Sequence, residues 1–140
     1  MKPEARLQRD VIELAQLLGV MVAHFRAAQV RDGTWVTPLQ GDGAGFPDLV
    51  LLSPHRVAYA ELKSHYGKPT IAQQRWLDRL AHAGEAVYVW RPADWDSGAI
   101  EAELRGLLEP RRCVLCGDPS WTSGGLCDAH SGLEAVFEAG

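Results

Sequence analysis

No run of about 18 apolar residues, the minimum for a membrane-spanning helix, occurs in this 140-residue chain. Its first residues, Met1 to Arg6, lack the apolar stretch of a secretory signal, so the expectation is an intracellular, cytoplasmic protein. Cysteine is scarce, with three in all. In a reducing compartment so few thiols do not make a disulfide framework, and their spacing suggests a metal instead. A general excess of positive charge is also missing: 14 Lys plus Arg stand against 18 Asp plus Glu, a net charge of −4. Attraction to a polyanion is therefore not spread over the surface, and any contact with nucleic acid has to be local. No internal repeat is visible. With 46% hydrophobic and 23% charged residues, the composition excludes disorder, collagen-like repeats and coiled coil, and leaves a folded domain with a small appendage.

What is present begins with a helix. Pro3 suits a first helical turn, and Leu7, Val11, Leu14 and Leu18 recur as an apolar stripe that ends near Gly19. Val20 to Phe25 reads as a strand, and Asp32-Gly33 marks a turn before Thr34-Trp35-Val36. A glycine-rich loop, Gly41 to Gly45, leads into a strand over Asp48 to Leu52 that Ser53-Pro54 closes; the next strand runs from Val57 to Lys63. Thr70 and Gln73 have the form of a capping box, with Ile71, Trp76, Leu77 and Leu80 as the inward face of a helix stopped at Gly84. Ala86 to Trp90 is a last short strand, and Ile100, Leu104, Leu107 and Leu108 suggest a final helix. The order α-β-β-β-β-α-β-α fits a mixed β-sheet flanked by helices, an α/β fold. Composition changes at Pro110, so residues 1–109 are expected to form the main domain and 110–140 a separate module.

The strand from Val57 to Lys63 carries charge where apolar residues dominate. Alternation puts Val57, Tyr59, Glu61 and Lys63 on one side and Ala58, Ala60 and Leu62 on the other. A carboxylate at mid-strand needs a cation nearby or an open sheet edge, because desolvating it unpaired costs several kcal/mol. A Glu-Lys pair on a solvated strand face would satisfy that requirement. Asp48, at the mouth of the neighbouring strand after the glycine-rich loop, adds a second carboxylate that could converge with Glu61. Two carboxylates suit a hard divalent ion such as Mg²⁺ or Mn²⁺, and an adjacent lysine can position or activate water.

Pro47-Asp48 with Glu61-Leu62-Lys63 matches the PD-(D/E)XK pattern of restriction-endonuclease-like proteins. The longer match takes in Gly45 to Leu51, Ala60 to Lys63, Thr70 with Gln73, Trp76-Leu77, and Gly84 before Val87 to Trp90. It resembles the VRR-NUC family, small Mg²⁺-dependent nucleases of phages, bacteria and repair proteins, over about residues 4 to 105. The resemblance implies an α-β-β-β-α-β core and in-line attack of water on a phosphodiester. Asp48 and Glu61 would hold Mg²⁺ or Mn²⁺, and Lys63 would aid the nucleophile or the transition-state charge. It also implies a role for a glutamate early in the first helix, here Glu4 before Leu7-Gln8, and for Gln73. At about 100° per residue Glu4 falls about 50° from the centre of the apolar stripe and Glu13 about 130°, so Glu4 is the better placed. A first-turn acid complementing the helix dipole also accounts for Glu4, and a capping box for Gln73.

The expected substrate is DNA, branched, flapped or otherwise structured, and a homodimer is expected if two strands are cut. Rival readings are an RNA-cleaving or sequence-specific relative, or a non-catalytic nucleic-acid-binding adaptor. Among Lys68, Arg75, Arg79 and Arg91, one or two phosphate contacts are expected. His24, His55, His65 and His82 lack ligand spacing; Trp35, Trp76, Trp90, Trp95 and Trp121 are expected as core or interface anchors. In the tail, Cys113-x2-Cys116 and Cys127-x2-His130 flank the stretch 117–126 with Gly117, Gly124 and Gly125. Each pair can bite one ion from a tight turn, and four such ligands close a tetrahedral shell around structural Zn²⁺.

Overall fold

A computed structural model describes residues 3–25, 28–36, 40–113, 115–119 and 129–130. Helix α1 (Pro3–Leu17) buries Leu7, Val11 and Ala15. It stops in a Schellman turn: Gly19, at φ +83°, donates to the Gln16 carbonyl, and Val20 donates to that of Ala15. That turn drops buried Val20 at the entrance of strand β1 (Met21–His24). Two short strands follow, β2 (Ala28–Gln29) and β3 (Trp35–Val36), which pair with each other as a two-stranded sheet. Their turn is closed by the Asp32 carboxylate, which accepts from the Thr34 amide at 2.9 Å.

The main sheet has the order β1-β4-β5-β6. Strand β4 (Leu49–Leu52) is antiparallel to β1 and to β5 (Val57–Leu62), while β6 (Ala86–Trp90) lies parallel to β5. The parallel pair is joined through α2 (Ile71–His82), as a parallel crossover requires. After β6 come α3 (Pro92–Asp96) and α4 (Ala99–Leu107). The result is the expected mixed sheet flanked by helices, with two elements, β2 and α3, that the sequence reading did not separate.

One face of the sheet carries the core. Leu49, Leu51, Ala58, Ala60, Leu62 and Trp90 pack with Leu7, Val11 and Ala15 of α1 and Ile100, Leu104 and Leu107 of α4. Ala58 and Ala60 are fully buried. Their small side chains let helices approach the middle of β5. Ser53 does more than close β4: its buried hydroxyl donates to the Leu107 carbonyl at 2.6 Å and accepts from the His55 and Arg56 amides, tying the β4–β5 turn to α4. The opposite face is organised around Phe46, whose ring meets Phe25, Tyr59 and Trp76 edge-on at 5.3, 6.0 and 5.0 Å.

One side-chain expectation fails. Ile71 is 91% exposed, because at about 100° per residue the first position of α2 lies about 120° from buried Leu77. Trp35 is 64% exposed on its two-stranded ribbon, which removes the core alternative for it and leaves that of an interface anchor. Trp90 is buried, Trp76 and Trp95 are half-buried, and Trp121 lies outside the described residues.

Candidate active site

Alternation along β5 puts Glu61 on the Tyr59 side of the sheet, away from the main core. The antiparallel register pairs Leu49 with Ala60, so one step further Asp48 stands opposite Glu61 on the same face. Asp48 is fixed twice. Its Oδ2 accepts from the Leu62 amide at 2.8 Å, and its carbonyl accepts from the Phe25 amide at 3.2 Å. Lys63 is placed by its own amide, which donates to the Trp90 carbonyl at 2.9 Å and extends the β5–β6 ladder one residue past Leu62.

Gln73 joins these groups. Its Oε1 accepts from the Thr70 amide at 2.8 Å and from Lys63 Nζ at 2.9 Å, while Nε2 donates to Glu61 Oε1 at 2.6 Å. Its own amide donates to Thr70 Oγ1 at 3.2 Å, completing the capping box. Lys63 Nζ also lies 2.9 Å from Glu61 Oε1. The capping role and the site role therefore coexist in one side chain. Gly45 allows this arrangement: a Cβ there would fall 2.5 Å from Ala72 C and 2.6 Å from Gln73 N, and its φ is +81°. The loop backbone thus rests directly on the start of α2.

Glu61 is 1% exposed, and its Oε2 is buried with no hydrogen-bond partner among the described residues. Burial, reinforced by the nearby Asp48 charge and opposed by Lys63, pushes its carboxyl up to about 7. A buried oxygen without a described partner, on a sheet face shared with a second carboxylate, is a donor set suited to a hard divalent cation, whose charge would relieve both the repulsion and the unmet bond.

The other candidates divide. Glu4 sits exposed in the first turn of α1 and makes no hydrogen bond or ion pair with a described residue; one turn on, Gln8 Nε2 meets His24 Nδ1 at 3.2 Å. Arg91 Nη2 donates to the Gly67 carbonyl at 2.8 Å. It therefore tethers the loop after β5, a role that spacing alone could not reveal. His65 and Tyr66 on that loop are exposed, Tyr66 at 96%.

In the tail, Cys113 and Cys116 lie on a tight turn. The Cys113 amide donates to the Asp118 carbonyl at 2.6 Å, and the Gly117 amide, at φ +77°, donates to the Cys113 carbonyl at 2.8 Å. The ligating atoms of Cys113, Cys116 and His130 lie within 4.8 Å of one another. Cys113 Sγ and His130 Nδ1 are 3.5 Å apart. Sulfur at about 2.3 Å and nitrogen at about 2.0 Å from one tetrahedral ion would stand about 3.5 Å apart, so these residues fit a zinc ion. Cys127, the expected fourth ligand, lies outside the described residues.

No family model matches the sequence, and no curated protein does. A solved structure described as a VRR_NUC domain does match: 25% identity, TM-score 0.52, over 72% of this chain and 97% of that one. The chain has the VRR_NUC fold, the fold of the PD-(D/E)XK nucleases to which its motif pointed.

Proposed function

We propose that this chain is a divalent-metal-dependent endonuclease that hydrolyses phosphodiester bonds in DNA. The observation that carries the reading is that Lys63 and Gln73 both meet Glu61 at Oε1, opposite Asp48 on the same sheet face, while the buried Oε2 of Glu61 has no described partner. Asp48 and Glu61 would hold Mg²⁺ or Mn²⁺. Such an ion lowers the pKa of a bound water and offsets charge on a phosphoryl oxygen. Lys63, held by Gln73 and Glu61, would stabilise the negative charge that develops on the phosphate. Gln73 holds Glu61 Oε1, leaving Oε2 for the ion. Glu4, exposed in the first turn of α1, is the remaining acid proposed to approach the substrate.

Residues 1–109 form the nuclease unit in this reading, and 110–140 a module closed by Zn²⁺ on Cys113, Cys116, His130 and Cys127. Support comes from the 3.5 Å sulfur–nitrogen separation and the Gly117 turn. A cleavage panel tests the function: plasmid, flap, four-way junction, single-stranded DNA and RNA, each with Mg²⁺ and with Mn²⁺. Cleavage of DNA, strongest on branched forms and absent in Asp48→Ala, is expected. Cutting of RNA alone, or undiminished cutting by Asp48→Ala, refutes it.

A further inference from the structure

A groove of about 330 Å³ runs between the glycine-rich loop and α2, lined by Gly41, Asp42 and Ala44 on one side and Arg75, Trp76 and Arg79 on the other. We infer that this groove grips the sugar-phosphate backbone of the DNA strand leaving the cleavage site, through the Arg75 and Arg79 guanidiniums. The inference rests on the nuclease reading for the identity of the strand, and on the following observations for the site.

The i,i+4 spacing places Arg75 and Arg79 on one face of α2, about 6 Å apart along its axis. Both are exposed, and neither makes an ion pair with a described residue. The acids closest in sequence do not neutralise them. Asp78 accepts from Gln74 at 2.8 Å and makes no ion pair with either arginine, and Asp42 is one lining acid against two arginines. Guanidinium groups held in this way match phosphate oxygens in pairs. Of the other cations weighed, Arg91 is committed to the Gly67 carbonyl and Lys68 stands exposed on a loop outside the groove.

The groove is also built to hold its shape. Trp76 Nε1 donates to the Asp42 carbonyl at 3.0 Å, the Trp76 ring meets Phe46, and Gly45 lies against Ala72 too closely for any side chain. Both walls lead to the site: the loop reaches Asp48 three residues after Gly45, and Gln73 precedes Arg75 by two. In a chain of net charge −4, unpaired cations collected beside two carboxylates are where a polyanion would be met.

The test reads binding rather than cleavage. Full-length Asp48→Ala protein, with and without Arg75→Ala/Arg79→Ala, is titrated into fluorescein-labelled DNA hairpin and the matching RNA hairpin by anisotropy from 50 to 200 mM KCl. Loss of two phosphate contacts should weaken DNA binding about tenfold and lower the slope of log K against log salt by about 1.8. Arg75→Lys/Arg79→Lys should keep most of the slope, and Arg105→Ala, whose guanidinium already pairs with Glu101, should leave it unchanged. An unchanged slope in the double alanine variant, or an effect on RNA alone, overturns the inference. Because anisotropy reads binding rather than cleavage, that result would leave the cleavage panel standing, and failure of the panel would leave this measurement readable.

Discussion

The two candidate metal centres are built on opposite principles. At the sheet, hard oxygens are aimed by structure that exists for other reasons: strand register sets Asp48 against Glu61, and a capping box aims Gln73. In the tail, soft donors are brought together by a turn of a few residues, Cys113 to Asp118, closed by main-chain bonds. The first centre should keep its shape without an ion, whereas the second would need an ion to take the place of a core.

That contrast can be broken most decisively at the tail. Cys113→Ser should abolish retention of one zinc per chain, read by elemental analysis, and make residues 110–140 sensitive to protease while the sheet core still melts as one transition. Zinc retained in full by that variant would end the soft-site reading. At the sheet the reverse holds: Glu61→Gln keeps the shape and should keep the fold, yet lower kcat by about 10³-fold. Wild-type turnover in that variant would show that the buried oxygen has no part in the reaction.

Third comes pH. A carboxyl whose pKa is higher in the folded state binds its proton more tightly there, so Glu61 favours folding below its unfolded value. That advantage is lost as pH rises from about 4.5 through about 7. Chelated protein should therefore lose on the order of 2 kcal/mol across that window. Glu61→Gln should flatten the dependence, and Mg²⁺ should restore stability at pH 8. A melting temperature insensitive to pH in chelator would contradict the burial argument. The smallest effect separates capping from catalysis. Thr70→Ala and Gln73→Ala should each cost about 1 kcal/mol of stability, but only Gln73→Ala should lower kcat, by about tenfold with KM little changed. Equal kcat in the two would reduce Gln73 to a cap.

The sheet and the site acids were legible because period-two alternation exposes a charge in an apolar strand, and Asp48, Glu61 and Lys63 break that pattern. Gln73 was legible as a cap and, by resemblance, as a site residue; its bonds to both Lys63 and Glu61 depend on the rotamer and the packing of α2 against the loop. Arg91 and Ser53 were not legible, since each acts on a carbonyl far away in sequence, Gly67 and Leu107. Ile71 was misread because composition, not angular position, assigned its face. The short strand β2 and helix α3 fall below the length at which periodicity can be recognised.

The first turn of α2 and the ammonium of Lys63 share a single carboxamide. Helix ends open far more readily than the middle of a sheet. Warming should therefore disarm this protein before it unfolds it, because fraying at Thr70 releases the ammonium while the strands beneath stay paired.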